Sequence, residues 1–227
     1  MFNSSDFDEE SENSKQETVL KIVLIGASGV GKTSIVERFA KNIFNEQQRK
    51  TIGSTFLSKV CVVDEKSYYL NVWDTAGEER FHSLVKLYYR DTNIAILCFD
   101  LTKETSFREL DHWYQELQTS APRNVILLIC GNKKDLEEQR EVEDIEIEEW
   151  VSKRNCIYLE TSAKDGTNVN SLFENACQLF SEKFGKKDDF YTEENLPIRK
   201  KTIIIGSKKQ EKSQKKKKNI ESKKCCN

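Results

Sequence analysis

Eight residues near the start of the chain have the composition and spacing of a loop that binds phosphate. Residues 26–33 read Gly-Ala-Ser-Gly-Val-Gly-Lys-Thr, which is a glycine, four residues and then Gly-Lys-Thr. Glycines tolerate positive φ angles, so backbone N–H groups can converge on phosphate oxygens at the start of a helix. The ammonium group of Lys32 can contact the β- and γ-phosphates, and the Thr33 hydroxyl can bind Mg²⁺. The loop predicts a nucleotide-phosphate site, although one Gly-rich turn can also occur by chance.

A second motif could serve the same phosphates. Residues 74–77 read Asp-Thr-Ala-Gly. The Asp74 carboxylate can hold Mg²⁺, generally through a water molecule, since this hard cation prefers oxygen ligands. Gly77 can offer its backbone N–H to a γ-phosphate. The motif therefore adds a ligand for the metal and a hydrogen-bond donor for the terminal phosphate.

Two more motifs have the chemistry to read a purine base. Residues 132–135 are Asn-Lys-Lys-Asp, and the Asp135 carboxylate, which we expect to be buried, can accept hydrogen bonds from the N1–H and the exocyclic amine of guanine. Adenine lacks that donor pair and would leave the acceptors unpaired. Residues 161–164 are Thr-Ser-Ala-Lys, where a backbone N–H can reach the guanine O6 atom. The motifs together predict a guanine-nucleotide site.

Each motif needs a strand end to position it, and the sequence predicts a strand before each one. The predicted strands cover residues 19–25, 56–63, 68–73, 94–99, 125–130 and 156–160, with a turn at 64–66. Apolar helix stripes are predicted at 32–41, at Phe107, Leu110, Trp113 and Leu117, and at Val169, Leu172, Phe173, Ala176 and Phe180. Alternating strands and helices predict an α/β sheet that binds its ligand at the C-terminal ends of the strands.

The composition fits one globular domain with polar extensions. Hydrophobic residues make up 37% and charged residues 33% of the 227 residues. The acidic start is unlike a secretory signal, and no apolar run approaches the about 18 residues that span a bilayer. Five of the seven cysteines lie in apolar segments without regular spacing, which indicates buried thiols rather than disulfides or a metal site. We expect a disordered acidic extension at 1–17, one domain at 18–184 and a disordered Lys-rich tail at 185–227.

With these motifs in this order, the chain resembles the Ras superfamily and, within it, the Rab branch, over residues 18–184. The Rab-like stretches are residues 52–56, 69–73, 80–84, 88–91 and 97–102. The His-Ser-Leu at 82–84 and the Tyr-Tyr-Arg-Asp at 88–91 look most like the early-endosomal Rabs. The resemblance implies a small G domain of the P-loop NTPase class, an α/β fold with a six-stranded, mostly parallel sheet flanked by helices.

The resemblance also implies roles for individual residues. Thr51 should be the switch threonine, with its hydroxyl on Mg²⁺ and its N–H on the γ-phosphate. Phe44 should pack on the guanine ring, although core packing would also explain it. The implied metal ligands are Thr33, Thr51 and Asp74, and the implied catalytic residues are Lys32, Thr51, Gly77 and Glu78. The implied nucleotide ligands are Ser28, Gly29, Val30, Gly31, Lys32, Thr33, Ser34, Phe44, Thr51, Gly77, Asn132, Lys133, Asp135, Ser162, Ala163 and Lys164.

The residue after the Asp-Thr-Ala-Gly motif departs from the family pattern. The family has glutamine there, which orients the attacking water, whereas this chain has Glu78. Glutamine can accept a hydrogen bond from water and donate one to the phosphoryl group, but ionised glutamate can only accept. Its charge also opposes the negative charge of the transition state. We expect slow intrinsic GTP hydrolysis, which TBC-type activating proteins could still accelerate because they supply an arginine and a glutamine.

The tail has the chemistry of a membrane anchor. From Arg199 to Lys224 there are 12 basic and 2 acidic residues, a local charge of +10 against −12 for the rest of a chain with net charge −2. Cys225 and Cys226 resemble the Rab ending on which both thiols are geranylgeranylated, and stable anchoring takes two such signals. The lysines would add attraction to anionic lipid. Taken alone, the lysine run would also fit nuclear import or nucleic-acid binding.

The sequence therefore favours a GTPase switch in vesicle traffic that binds GTP or GDP with Mg²⁺. We expect it on the cytoplasmic face of intracellular membranes, on the endosomal route, with a cytosolic pool. The expected state is a monomer without a nucleic-acid partner. The expected partners are an exchange factor, a TBC-type GTPase-activating protein, a GDP dissociation inhibitor or escort protein, and effectors.

Three alternatives stay open at this point. Phe56, Trp73 and Tyr88 should form an aromatic effector surface, with plain core packing as an equal alternative. The chain could be a GTP-locked effector-binding module with little turnover, because of Glu78. It could also be another phosphate-loop enzyme, such as an ATPase or a nucleotide kinase, which Asn132 and Asp135 argue against.

Overall fold

The computed structural model describes residues 18–77 and 88–185 and the backbone of 204–205. Its strands form one sheet in the order β2-β3-β1-β4-β5-β6-β7. They are β1 Thr18–Ile25, β2 Ser54–Val63, β3 Lys66–Thr75, β4 Ile94–Asp100, β5 Ile126–Asn132, β6 Ile157–Glu160 and β7 Ile204–Ile205. β2 runs antiparallel to β3, and the other neighbouring pairs are parallel. The predicted six-stranded, mostly parallel sheet is confirmed, and the two-residue β7 extends it beside β6.

Helices flank the sheet within the described ranges. They are α1 Lys32–Lys41, α2 Glu104–Arg108, α3 Leu110–Ser120, α4 Asp144–Arg154 and α5 Val169–Phe184, with a 3₁₀ helix at Lys134–Gln139. The single helix predicted through Phe107 and Leu117 is instead divided at Glu109, which ends α2 and precedes α3. Its four apolar side chains are nevertheless all buried, so the predicted stripe is confirmed.

Two hydrophobic cores cover the two faces of the sheet. On one face α1 and α5 pack together, and the rings of Phe39 and Phe173 stack with centroids 3.8 Å apart. On the other face α2, α3 and α4 cover the sheet, and Phe99 of β4 contacts Phe107. All seven residues of β4 are buried, as expected for a central strand covered on both sides. Each large apolar side chain that is fully buried contributes about 1.5–3 kcal/mol.

The hairpin between β2 and β3 closes through a two-residue turn. Asp64 and Glu65 both have positive φ angles, 48° and 63°, and Lys66 already begins β3. Two residues with positive φ match the type I′ turn, whose twist suits a tight hairpin. The antiparallel return sets β3 parallel to β1, so that residues 74–77 end at the same edge as the phosphate-binding loop.

The five cysteines predicted to be buried are confirmed as buried free thiols: Cys61, Cys98, Cys130, Cys156 and Cys177. Within the described residues, no helix has the length and apolarity to cross a membrane. The extension 1–17 and most of the tail, including Cys225 and Cys226, lie outside the described residues, so their predicted disorder stays a prediction.

Candidate nucleotide-binding site

A cleft of about 370 Å³ lies where the parallel strands end. Ligand sites of open α/β sheets occur at this edge, and the volume lies within the usual range for small-molecule pockets. Among the predicted nucleotide ligands, those that line the cleft are Ser28, Gly29, Gly31, Lys32, Thr33, Ser34, Phe44, Thr51, Gly77, Asn132, Lys133, Asp135, Ala163 and Lys164. Val30 and Ser162 are buried behind the wall. Motifs far apart in the sequence therefore meet at one cleft.

The loop between β1 and α1 can adopt its shape only with glycine at two positions. Gly26 has φ 142°, and a Cβ atom there would lie 2.1 Å from the Cys98 carbonyl oxygen. Gly31 has φ 96°, and a Cβ atom there would lie 2.3 Å from the Asn132 side-chain nitrogen. The loop is therefore pressed against β4 on one side and against the end of β5 on the other.

Lys32 carries a buried positive charge into this loop. Its side chain is in a residue that is only 5% exposed, and Nζ donates hydrogen bonds to the carbonyl oxygens of Gly26 at 2.7 Å and Ala27 at 2.8 Å. Burial lowers the pKa of the ammonium group, and the charge of Asp74 acts in the opposite direction. A phosphate in the cleft would compensate this desolvated cation, as the sequence predicts.

Three oxygen-bearing side chains meet beside Lys32. The Thr33 hydroxyl donates to Asp74 Oδ2 at 2.6 Å, and the Thr51 hydroxyl oxygen lies 2.7 Å from that of Thr33. Asp74 is fully buried, and its Oδ1 atom has no hydrogen-bond partner. Burial raises the pKa of this carboxyl to about 6. An all-oxygen set with an unsatisfied buried carboxylate oxygen suits Mg²⁺, so the residues present fit the predicted ion.

The loop after β5 and the loop after β6 join through Asp135. The Ser162 hydroxyl donates to Asp135 Oδ1 at 2.6 Å, which fixes the carboxylate at the cleft. The expectation that Asp135 is buried is wrong: the residue is exposed, because it lies on the open wall of the cleft. Its position remains suited to a purine edge, since the hydrogen bond with Ser162 places it beside the 161–164 loop, whose Ala163 also lines the cleft.

Asn132 connects the loop between β1 and α1 to the loop after β6. Its side chain is buried, and its Nδ2 group donates to the Val30 carbonyl at 2.9 Å. Its Oδ1 atom accepts from the Thr161 hydroxyl and the Ala163 N–H, both at 3.2 Å. One amide therefore connects three loops.

Lys133, the residue after Asn132, forms an ion pair with a carboxylate at the end of β4. Its Nζ group lies 2.6 Å from Asp100 Oδ2, and Asp100, at the end of β4, is fully buried. Asp100 Oδ1 accepts hydrogen bonds from the N–H and the hydroxyl of Thr102. This ion pair, with a buried carboxylate and a partly exposed ammonium group, fixes the course of Lys133 along the cleft, although sequence reasoning did not single out Asp100.

The predicted aromatic residues fall into two groups, of which only Phe44 lines the cleft. Phe44 lines the cleft and also packs against the core on the α1 side. Phe56, Trp73 and Tyr88 form a continuous row with centroid distances of 5.0 and 5.2 Å. Phe56 is 48% exposed, whereas Trp73 and Tyr88 are partly buried against the second core. The row is thus core packing that ends in an exposed ring.

One predicted site residue lies outside the described part of the chain, and several residues that line the cleft were not predicted. Glu78 lies outside the described residues. The polar segment between Phe44 and Thr51 contributes lining residues that no motif indicated: Asn45, Glu46, Gln48, Arg49 and Lys50. Their only signal in the sequence is that they lie between two residues predicted to reach the nucleotide.

Comparison with known proteins identifies the family to which the chain is similar. A family model described as Ras family matches residues 21–182. Ras-related protein Rab-30 of Homo sapiens is 46% identical over 165 residues, covering 72% of this chain and 81% of that protein, and the Bos taurus protein matches equally. The GTP-binding protein ypt5 of Schizosaccharomyces pombe is 44% identical over 155 residues, covering 67% of this chain and 74% of ypt5.

A mostly parallel sheet that gathers a phosphate loop and two base-side loops at its strand ends defines a phosphate-loop nucleotide-binding domain. The chain belongs to the Ras family, as a small GTPase of the Rab type.

Replacing Asn132 by alanine should accelerate nucleotide release. The change leaves the Val30 carbonyl and the Ala163 N–H, both in buried residues, without their side-chain partner. An unsatisfied buried group costs about 1–3 kcal/mol, so we expect GDP to dissociate about tenfold faster or more. The measurement is release of a fluorescent GDP analogue. The exposed Asn124→Ala variant is the control, and equal release rates for the two variants would contradict the linking role of Asn132.

Proposed function

We propose that this Rab-type GTPase binds GTP or GDP with Mg²⁺ in the cleft and acts as a membrane switch on the endocytic route of vesicle traffic. The observation that carries the proposal is the convergence on one cleft of Lys32, Thr33 and Asp135, with Asp74 hydrogen-bonded to the Thr33 hydroxyl. Lys32 and the loop N–H groups hold the phosphates, and Asp135 reads the base. A bound Mg²⁺ would neutralise part of the negative charge of the phosphates.

Each binding role follows from a contact around the cleft. The hydroxyls of Thr33 and Thr51 and the carboxylate of Asp74 would hold the ion. Gly77 would present its N–H to the γ-phosphate, and a side chain there has no room, since a Cβ atom would lie 2.5 Å from backbone atoms of Gly26 and Ala27. The base end would be held by Phe44, Asn132, Lys133 and the 162–164 loop.

Switching would follow from the two residues that sense the γ-phosphate. Thr51 and Gly77 would each donate a backbone N–H to the γ-phosphate, and loss of that phosphate would release the segments that carry them. Phe56, Trp73 and Tyr88 join these segments through ring contacts, and the exposed Phe56 ring offers a partner an apolar surface that depends on the bound nucleotide. Effectors would bind there in the GTP state.

If Asp135 recognises the guanine base, replacing it by asparagine should change the preferred base from guanine to xanthine. Asparagine at position 135 can donate to the C2 carbonyl of xanthine but cannot accept the paired hydrogen bonds of guanine. We expect Asp135→Asn to lower GDP affinity about 100-fold or more and to raise XDP affinity, measured by competition against a labelled nucleotide. The control is Asp165→Asn, an equal change of charge on an exposed neighbour outside the cleft lining. Retained GDP preference in Asp135→Asn would refute the assignment.

The catalytic position predicts a slow switch. If Glu78 impedes hydrolysis because it adds charge and lacks a donor, Glu78→Gln should raise the intrinsic single-turnover rate about tenfold, equivalent to about 1.4 kcal/mol. The Glu65→Gln variant, in the exposed hairpin turn, is the control for the change of charge. Equal intrinsic rates for the native chain and Glu78→Gln would refute the idea.

The same residue supports the second candidate, a GTP-locked effector-binding module. The nucleotide extracted from protein expressed in cells separates the two functions. Mostly GDP would favour a cycling switch with an exchange factor and a TBC-type activating protein. Mostly GTP would favour the locked module.

The tail sequence predicts that membrane binding weakens when one of its two cysteines is replaced and is lost when both are. Two geranylgeranyl chains on Cys225 and Cys226, with the basic run, would anchor the protein on intracellular membranes, and an escort protein or GDP dissociation inhibitor would maintain a cytosolic pool. Membrane fractionation should find either single Cys→Ser variant weakly bound and the double variant cytosolic. Ser222→Ala should behave as the native chain. Persistent membrane association of the double variant would count against lipid anchoring.

A further inference from the structure

Glu160 is a buried carboxylate at the end of β6, immediately before the 161–164 loop. The residue is 5% exposed. Its Oε1 atom accepts hydrogen bonds from Arg140 Nη2 at 2.8 Å and from the Tyr158 hydroxyl at 3.1 Å, and its Oε2 atom lies 3.0 Å from Lys134 Nζ. Burial alone would raise the pKa of Glu160, but the contacts with Arg140 and Lys134 hold that pKa below its usual value.

The two cations belong to the segment that carries Asp135. Lys134 is the residue before Asp135 and begins the 3₁₀ helix, and Arg140 directly follows that helix. Both ends of the short helix are therefore joined to one carboxylate of β6. Arg140 is fixed on its outer side as well, because it contacts Glu137 at 3.0 Å and Asp144 at 3.2 Å.

Backbone hydrogen bonds at Glu160 and at the residue after it make a second set of connections. The Glu160 carbonyl accepts a hydrogen bond from Asn168 Nδ2 at 2.8 Å, and the carbonyl of the next residue, Thr161, accepts one from the Lys134 N–H at 3.0 Å. The Ser162 hydroxyl then reaches Asp135. The position of Asp135 relative to the 161–164 loop thus depends on charge contacts behind the cleft as well as on hydrogen bonds at its wall.

We propose that Glu160 is a positioning residue for base recognition. Through Lys134 and Arg140 it holds the Asp135 segment at a fixed distance from the 161–164 loop, and so sets how well Asp135 meets the exocyclic amine of guanine. Glu160 does not line the cleft, so its effect on the nucleotide passes through these two cations. The inference rests on the proposed role of Asp135 as the reader of the base.

A comparison of GDP with IDP separates a positioning role of Glu160 from a purely structural one. Hypoxanthine differs from guanine by the absence of the exocyclic amine, so IDP gains less from a well-placed Asp135 than GDP does. If Glu160 positions Asp135, its loss should speed release of GDP more than release of IDP. If Glu160 only stabilises the fold, release of both nucleotides should speed up by the same factor.

The experiment measures GDP and IDP release from the full chain with Mg²⁺, for the native protein, Glu160→Gln, Lys134→Met and Glu137→Gln. A glutamine side chain has only one acceptor oxygen, so in Glu160→Gln one of the two cations loses its partner. We expect about tenfold faster GDP release and at most about threefold faster IDP release for Glu160→Gln. Lys134→Met should show the same bias with a smaller change. Glu137→Gln, which removes only an outer contact of Arg140, should stay within about twofold of the native rates.

Equal acceleration of GDP and IDP release, or no acceleration, would overturn the inference while leaving the role of Asp135 intact. Should Glu160→Gln fail to fold, Lys134→Met tests the proposal by the same comparison of the acceleration of GDP release with that of IDP release. Should the native chain retain neither nucleotide, the proposed function fails first, and this inference with it.

Discussion

The buried amide of Asn132 is the constraint on which the cleft depends. A nucleotide has its base and its phosphates at a fixed separation, so a protein that binds it needs its base-reading and phosphate-binding loops at a matching distance. In the proposed site, Asn132 sets this distance through hydrogen bonds with the Val30 carbonyl on one side and the Ala163 N–H on the other. The missing Cβ of Gly31 belongs to the same arrangement, because any larger residue would collide with this amide. The site is thus built as one unit.

The fold explains why a single side chain can reach all three loops. β1, β5 and β6 run parallel and are separated only by β4, so the loops that follow them emerge at one edge. Buried charge then holds the lysine pair after Asn132 from both sides, with Asp100 of β4 on Lys133 and Glu160 of β6 on Lys134. A buried carboxylate is costly without a cationic partner, which makes each of these contacts sensitive to loss of its lysine.

Sequence reasoning predicted the parts of the protein that have local signals. The phosphate loop, the strands and the cleft residues of the four motifs follow from spacing and apolar runs. Helix α4 was not predicted, because only Ile147, Trp150 and Val151 are buried in a segment rich in acidic residues. The exposure of Asp135 was predicted wrongly, since the sequence gives no information on which wall of a cleft is open. Contacts such as that of Arg140 with Glu160, 20 residues apart, depend on the packed fold.

Competition binding shows whether this one cleft selects a guanine nucleotide. Labelled GDP is bound to the purified full chain with Mg²⁺ and displaced by unlabelled GDP or ADP. We expect that ADP fails to displace the label even at about 1,000-fold higher concentration than GDP requires, because adenine leaves the Asp135 acceptors unpaired. Displacement by ADP as effective as by GDP, or no binding of the labelled GDP, would contradict it.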